Sequence, residues 1–436
     1  MSYLKKITPL VLAATLALPS LARAEAPADT QGFIASAAAQ AFSNVERRVL
    51  TADIAEYSFR VRTGPGKYDE IGVHRVVKEI APNVPVRASR AVVMLHGDVW
   101  GFDGAFLSGV ASPAVPDDRN LPVFLAQNGV DVWGIDLGWT LVPGTETDFS
   151  FMNGWGIERD ARDLGIGIGV ARFTRAMTGS GFGKVTLLAW SRGGQIAYAY
   201  LNGETQIPAG LRQVSGFIPV DIYLKTDVAA LKQAACDRLD AFVAQGSSPV
   251  SGNGGLFQAL GTLAELAPDA DSPIPLFPDG ITNRQAALIV GAATFQIFAP
   301  VPFYHFTGGA FDANSLPSGL LYTNETAFYD FDKGASPFEP SKVVNDGDEA
   351  TCERNDVAFD DHLADINVPV LYVGAGGGFG EFGLYTVSLL GSTDVSNHIV
   401  NTASPRVVDF GHADLFLGND AQSLVWQPIL SWVQGH

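Results

Sequence analysis

Apolar positions follow two periods along this chain, and the places where one gives way to the other predict its elements. "AEYSFRVRTG" (Ala55–Gly64) and "IGVHRVVKEI" (Ile71–Ile80), joined by "PGKYDE", read as a pair of antiparallel strands. "RAVVMLHG" (Arg90–Gly97) is a continuous apolar run of strand length, as expected of a strand covered on both faces in a parallel sheet. The chain then cycles. "LPVFLAQNG" predicts a helix ending at Gly129, a residue suited to a C′ cap. "VDVWGIDLG" predicts a strand, "IERDARDLGIGIGVARFTRAM" a long helix, "KVTLLAW" a strand, "GGQIAYAYLNG" a helix and "VSGFIPVD" a strand. Strand and helix in alternation predict a mostly parallel, doubly wound α/β sheet.

The alternation stops after Asp221. Residues 222–365 are rich in Gly, Pro, Phe and Ser, with loop signals such as "SSPVSGNGG" and "DADSPIPLFPDG" around apolar helical runs such as "RQAALIVGAATFQIF". No regular strand is expected there. "INVPVLYVGAGGG" then restores a parallel strand, "YTVSLL" a helix, "PRVVDFGHADLF" a last strand with its loop, and "LVWQPILSWV" a terminal amphipathic helix. The sheet domain is thus expected in two parts, 25–221 and 366–436, with an insertion at 222–365. Ligands of open α/β sheets bind beyond the carboxyl ends of the strands, so the insertion reads as a cap over a site.

The amino terminus changes the picture. Lys5 and Lys6 precede an apolar run, Ile7–Leu18, too short to span a bilayer, and Ala22-Arg23-Ala24 follows. This is the pattern of a secretory signal peptide (residues 1–24), so the protein is expected to be exported, to the periplasm or beyond, with no stable membrane anchor. Residues 25–48 read as an Ala-rich helix. Removing residues 1–24 takes away three basic residues and no acids, moving the formal charge from -18 to -21. So acidic a chain is repelled by nucleic acid. The two cysteines, Cys236 and Cys352, are expected to pair in an oxidising compartment, and with no histidine near them they do not suggest a zinc site.

The chemistry centres on "LLAWSRGG". Ser191 follows an apolar strand and precedes a helix, so a tight turn lifts its hydroxyl above the sheet edge and turns the Arg192 N–H toward the same point. Ala189 stands where G-x-S-x-G has its first glycine; a small residue is what the close passage of strand and helix requires. A serine hydroxyl is a poor nucleophile until a base within reach takes its proton. Of seven histidines, His412 alone follows the last predicted strand in a Gly-bounded loop. His96 belongs to the turn after its strand, His74 to an early strand, His305 and His362 to the insertion or its edge. His398 precedes the last predicted strand, and His436 is terminal.

With these segments in their order, the chain from about residue 50 resembles the α/β-hydrolase fold superfamily, the insertion excepted. "VVMLHGDVWGF", "FLAQNGVDVWGIDLG", "LLAWSRGG" and "VVDFGHADLFLGNDA" carry the resemblance, and the H-x-D-x-x-x-G spacing of the last is similar to that of the acid lipase branch. The resemblance implies Ser191 as nucleophile, His412 as base, and the N–H groups of Asp98 and Arg192 as oxyanion hole, with Val99 the alternative to Asp98. It implies a small-molecule ester substrate and neither cofactor nor metal. The chain departs from the commonest pattern at the acid, since the loop after "PVLYVG" has glycine where an aspartate is usual. Asp221, ending "VSGFIPVD", and Glu381 are the two candidates, Asp221 preferred although Pro219 could bend its strand. Arg192 is expected to pair with an acid of the cap or to bind a substrate carboxylate. Epoxide hydrolase and haloalkane dehalogenase chemistry need a carboxylate nucleophile and are disfavoured by Ser191. The reading is a serine esterase or lipase-like enzyme. An amide hydrolase of the capped aminopeptidase kind and a non-catalytic binding protein are its rivals.

Overall fold

The computed structural model describes residues 45–298 and 300–436. The signal-peptide segment and most of the Ala-rich stretch lie outside them. Nine strands form the main path of one sheet: β1 (Glu46–Thr51), β2 (Ile54–Arg62), β3 (Glu70–Ala81), β4 (Arg90–Leu95), β5 (Val130–Asp136), β6 (Val185–Trp190), β7 (Val214–Val220), β8 (Val370–Ala375) and β9 (Val395–Val400). They lie in the order β1-β2-β3-β5-β4-β6-β7-β8-β9. β1 to β3 are antiparallel to their neighbours, and every pair from β5 through to β9 is parallel.

The continuous apolar runs hide an alternation that burial makes visible. Val92 and Met94 of β4, with Leu188 and Trp190 of β6, face one core. Val93 and Leu95, with Leu187 and Ala189, face the other. Successive side chains of a strand point to opposite faces, so a strand covered on both sides must be apolar throughout. Helices α1 (Leu121–Gln127) and α10 (Gln427–Gly435) cover the first face, and α2 (Ile157–Met177) and α3 (Arg192–Thr205) the second.

Between β7 and β8 the described residues form five α-helices: α4 (Ala229–Ala244), α5 (Asn253–Leu266), α6 (Asn283–Ala292), α7 (Glu325–Lys333) and α8 (Ser341–Cys352). Phe257, Leu260, Val290, Phe328 and Phe331 of this segment join the core on the α1 face, so the segment packs on the sheet domain. It also holds two small antiparallel pairs, Gly309–Phe311 with Pro317–Leu320 and Val250–Ser251 with Glu339–Pro340, against the expectation of no regular strand. Cys236 of α4 and Cys352 of α8 form a disulfide with Cα atoms 5.0 Å apart.

Two further expectations need correction. Residues 46–48 are not helical but open β1. The last strand is "VSNHIV", Val395–Val400, while Arg406–Val408 of "PRVVDF" is a single tight turn. His398 therefore lies inside the last strand, its Nε2 bonded to the Leu424 carbonyl. α9 (Gly383–Ser388) connects β8 to β9. Among the described residues no helix is long and apolar enough to cross a membrane.

Candidate active site

The strand order reverses at β4. β5 lies on one side of it and β6, reached by the α2 crossover, on the other. Loops leaving neighbouring strands in opposite directions open a crevice at their carboxyl ends. Gly97 and Asp98 follow β4 there, and Ser191 follows β6.

Ser191 has φ +55° and ψ −132°, a conformation that costs a non-glycine residue about 1–3 kcal/mol and persists only where the surroundings impose it. The Ser191 N–H donates to the Val220 carbonyl (2.9 Å) and its own carbonyl accepts from the Gly194 N–H (2.7 Å). The next turn runs so close to the loop after β4 that a Cβ on Gly193 would lie 2.2 Å from the His96 carbonyl oxygen. Ala189 is fully buried in the α3-side core, so a methyl group is accommodated at the first position of the motif.

His412 and Asp221 form a buried pair. The His412 Nδ1–H donates to Asp221 Oδ2 at 2.7 Å, with both side chains sealed from solvent. That bond leaves Nε2 as the free nitrogen of the neutral ring. Trp190 stacks on the imidazole at a centroid distance of 4.8 Å, and Phe379 meets it edge-on at 5.6 Å. The loop is tied down from below. The His412 N–H donates to the His305 carbonyl (3.0 Å), and Asp414 Oδ2 accepts from the Gly308 (2.8 Å) and Gly411 (2.7 Å) N–H groups. Asp414 of the H-x-D pattern is thus a brace between the histidine loop and residues 305–308. Burial pushes its carboxyl up to about 6 although three donors favour the charged form.

The glycines after β8 stand around the acid. Asp221 Oδ1 accepts from the Ala375 (2.9 Å) and Gly380 (2.8 Å) N–H groups, and Oδ2 accepts from Phe379 (3.1 Å). A Cβ on Gly378 would lie 2.0 Å from Oδ2. The loop that lacks an aspartate is therefore the cradle for one supplied by the neighbouring strand. Pro219 does not bend β7, which stays in register with β6 through Val220. Glu381, the other candidate acid, turns outward and pairs with Arg406, so it is not brought to His412.

Ser191, His412, Asp98 and Arg192 line one cavity of about 340 Å³. Its apolar side includes Trp100, Phe257, Tyr304 and Phe306. Among the described residues the Asp98 N–H has no hydrogen-bond partner. The Arg192 N–H belongs to the first turn of α3, where no intrahelical acceptor exists. The Val99 N–H, by contrast, faces the Glu339 carboxyl. The Arg192 side chain does not pair with an acid of the 222–365 segment as expected. It bonds Asp98, a neighbour in the loop after β4, at 2.9 Å. Burial holds His96 below its ordinary value, and its neutral Nε2 accepts from the Leu137 N–H (3.2 Å), so it shapes the turn.

The sequence reading missed Glu339, Arg238 and Asp348, which also line the cavity. None carries a local motif; each reaches the site through tertiary packing. A separate group, Glu56, His74 and Asp103, has ligand atoms within 4.8 Å of one another. Arg48 already bonds Glu56 and Asp103, and His74 uses both ring nitrogens on Glu56 and Asp136, so the group is satisfied without an ion.

No protein-family model and no curated protein sequence matches the chain. Solved structures do. A protein from Sulfolobus solfataricus, described provisionally as a lipase, superposes with a TM-score of 0.58 at 16% identity, over 90% of this chain and 99% of that one. A thermophilic esterase from Thermogutta terrifontis (TM-score 0.40, 14% identity, 86% and 98%) and epoxide hydrolase A from Mycobacterium thermoresistibile (TM-score 0.43, 15% identity, 90% and 99%) align more loosely. Likeness at such identities is a likeness of fold. With its strand order, its elbow after β6 and its histidine loop after β9, the chain has the α/β-hydrolase fold.

Proposed function

We propose that this protein is an exported serine hydrolase that cleaves carboxylic esters through an acyl-enzyme on Ser191. The observation that carries the reading is the buried His412–Asp221 pair, whose histidine lines the same cavity as the strained Ser191. In this mechanism the Ser191 hydroxyl oxygen attacks the ester carbonyl carbon while His412 Nε2 takes its proton. The carbonyl oxygen becomes an oxyanion, met by the N–H groups of Asp98 and Arg192. The intermediate collapses, the ester C–O bond breaks, and His412 returns the proton to the departing alcohol. Water, deprotonated by the same nitrogen, then attacks the acyl-enzyme and releases the acid. Asp221 fixes the Nδ1–H tautomer and stabilises the imidazolium that forms twice per turnover.

The 222–365 segment serves as the cap in this reading, since Phe257, Tyr304 and Phe306 all come from it. The amino-terminal pattern and the disulfide favour export. Pre-steady-state kinetics on p-nitrophenyl butyrate test the proposal. A burst of p-nitrophenol equal to the enzyme concentration is expected, with the matched anilide turned over far more slowly. Absence of turnover across short- and medium-chain esters by folded protein would favour a binding role, and a faster anilide would favour an amide hydrolase.

A further inference from the structure

The polar wall of the cavity holds two arginines and three carboxyl groups, and their pairing is uneven. Arg192 bonds Asp98, with Nε to Oδ1 at 2.9 Å. Arg238 grips Asp348 through Nη2–Oδ1 (2.6 Å) and Nε–Oδ2 (3.0 Å). Glu339 takes part in neither ion pair; its carboxyl lies against the Asp98 carboxyl and the Val99 N–H. It sits on the short strand Glu339–Pro340, only 1% exposed, and its Oε1 is buried with no hydrogen-bond partner. Such a carboxyl oxygen is costly unless something else completes it.

The charge of the wall limits what that can be. Burial first, and then the negative charge of Asp98, hold Glu339 well above the ordinary carboxylate range, which favours its protonated form. The two ion pairs cancel, and with Glu339 protonated the wall is polar without net charge. A substrate carboxylate would meet Asp98, and a substrate ammonium would meet Arg192 and Arg238. A neutral hydroxyl fits: it can donate to Asp98 or to the Glu339 carbonyl oxygen and accept from the Arg192 guanidinium. Asp98 also follows Gly97 in the turn whose N–H is the proposed oxyanion donor, so this hydroxyl would sit close to the scissile carbonyl.

We propose that Glu339, with Asp98, forms a subsite for a hydroxyl group, and that the protein prefers carboxylic esters hydroxylated near the reacting carbonyl. This rests on the ester-hydrolase reading above. The hydroxyl could belong to the alcohol or to the acyl part, and the two sources separate experimentally. Matched pairs are glycerol monobutyrate with propyl butyrate, and ethyl 3-hydroxybutyrate with ethyl butyrate. In at least one pair the wild-type protein should favour the hydroxylated ester by about tenfold or more in kcat/KM, since a site built to bond a hydroxyl discriminates against its absence. Glu339→Gln, neutral and still able to donate and accept, should keep most of that ratio. Glu339→Leu should bring it to within about twofold of unity, chiefly through KM for the hydroxylated member. Glu339→Met takes its place if Glu339→Leu does not fold. Equal kcat/KM within both pairs, or a preference that survives loss of the carboxyl, overturns the subsite. Failure of the ester reading looks different, as turnover of no ester at all. In that event calorimetric titration of the same pairs onto Ser191→Ala decides: tighter binding of a hydroxylated member supports the subsite, and equal binding overturns it.

Discussion

Asp221 follows β7 with φ +49°, an unusual conformation for a non-glycine residue, and its carboxylate takes three backbone N–H groups besides His412. Those donors fix the carboxylate whatever the imidazole does, which suits a group that orients a partner. Asn at this position would present an N–H to a nitrogen that also carries hydrogen. If the proposed roles hold, Asp221→Asn lowers kcat on p-nitrophenyl butyrate by up to about 10⁴, the loss seen when a serine protease loses its triad acid. Glu381→Gln, on an exposed pair with Arg406, should change kcat by less than about threefold, because surface ion pairs are weak and this one is remote from the ring. A large effect of Glu381→Gln with a small one of Asp221→Asn would reverse the assignment.

At the scale of elements, the loop after β8 and the end of β7 act as one device. Gly378→Ala would press a methyl group against Asp221 Oδ2, and a shift of the carboxylate by even 1 Å should lower kcat by about 100-fold while circular dichroism stays native. Retained activity in that variant would argue against the cradle. The same scale explains what was legible in advance. β4 to β8 are covered on both faces and had to be apolar, and each was read correctly. The misread strands are β1 and β9, the two edges of the sheet. "ERRVLT" buries only Val49's neighbour Leu50, and "VSNHIV" only Val400, so neither needs an apolar pattern. "PRVVDF" has as many apolar residues as "VSNHIV", yet it forms a turn. Ser191 and His412 stood out in the sequence because each lies in a turn with its own residue signature, although "PRVVDF" before His412 is not a strand. The acid stood only as a preference for Asp221 over Glu381, because its carboxylate and the N–H groups that hold it come from loops more than 150 residues apart in the chain.

For the whole molecule, two devices set stability. The Cys236–Cys352 bond closes a loop with a sequence separation of 116, so Cys236→Ser with Cys352→Ser should cost about 4–5 kcal/mol in the chain-entropy account, read from urea unfolding. Asp160, buried in α2, acts in the opposite direction. Burial, with the nearby charge of Asp163, raises its carboxyl to about 7 against the opposing pull of Arg159. From about pH 4 to pH 7 the native carboxyl keeps a proton that the unfolded chain has released, so this group's contribution to stability falls as pH rises. Asp160→Asn removes that slope. The unfolding free energy of the variant minus that of wild type should climb by a few kcal/mol across this window and level off above it. A difference independent of pH would show that Asp160 is ionised throughout.

The account stands on Ser191 being the atom that attacks, and covalent labelling reads this directly. Wild-type protein treated with a fluorophosphonate and digested should carry the phosphonyl group on the peptide containing Ser191, by tandem mass spectrometry. Ser191→Ala should take up none, and Asp221→Asn should label far more slowly. Labelling of another residue, or labelling that survives Ser191→Ala, would contradict the central claim.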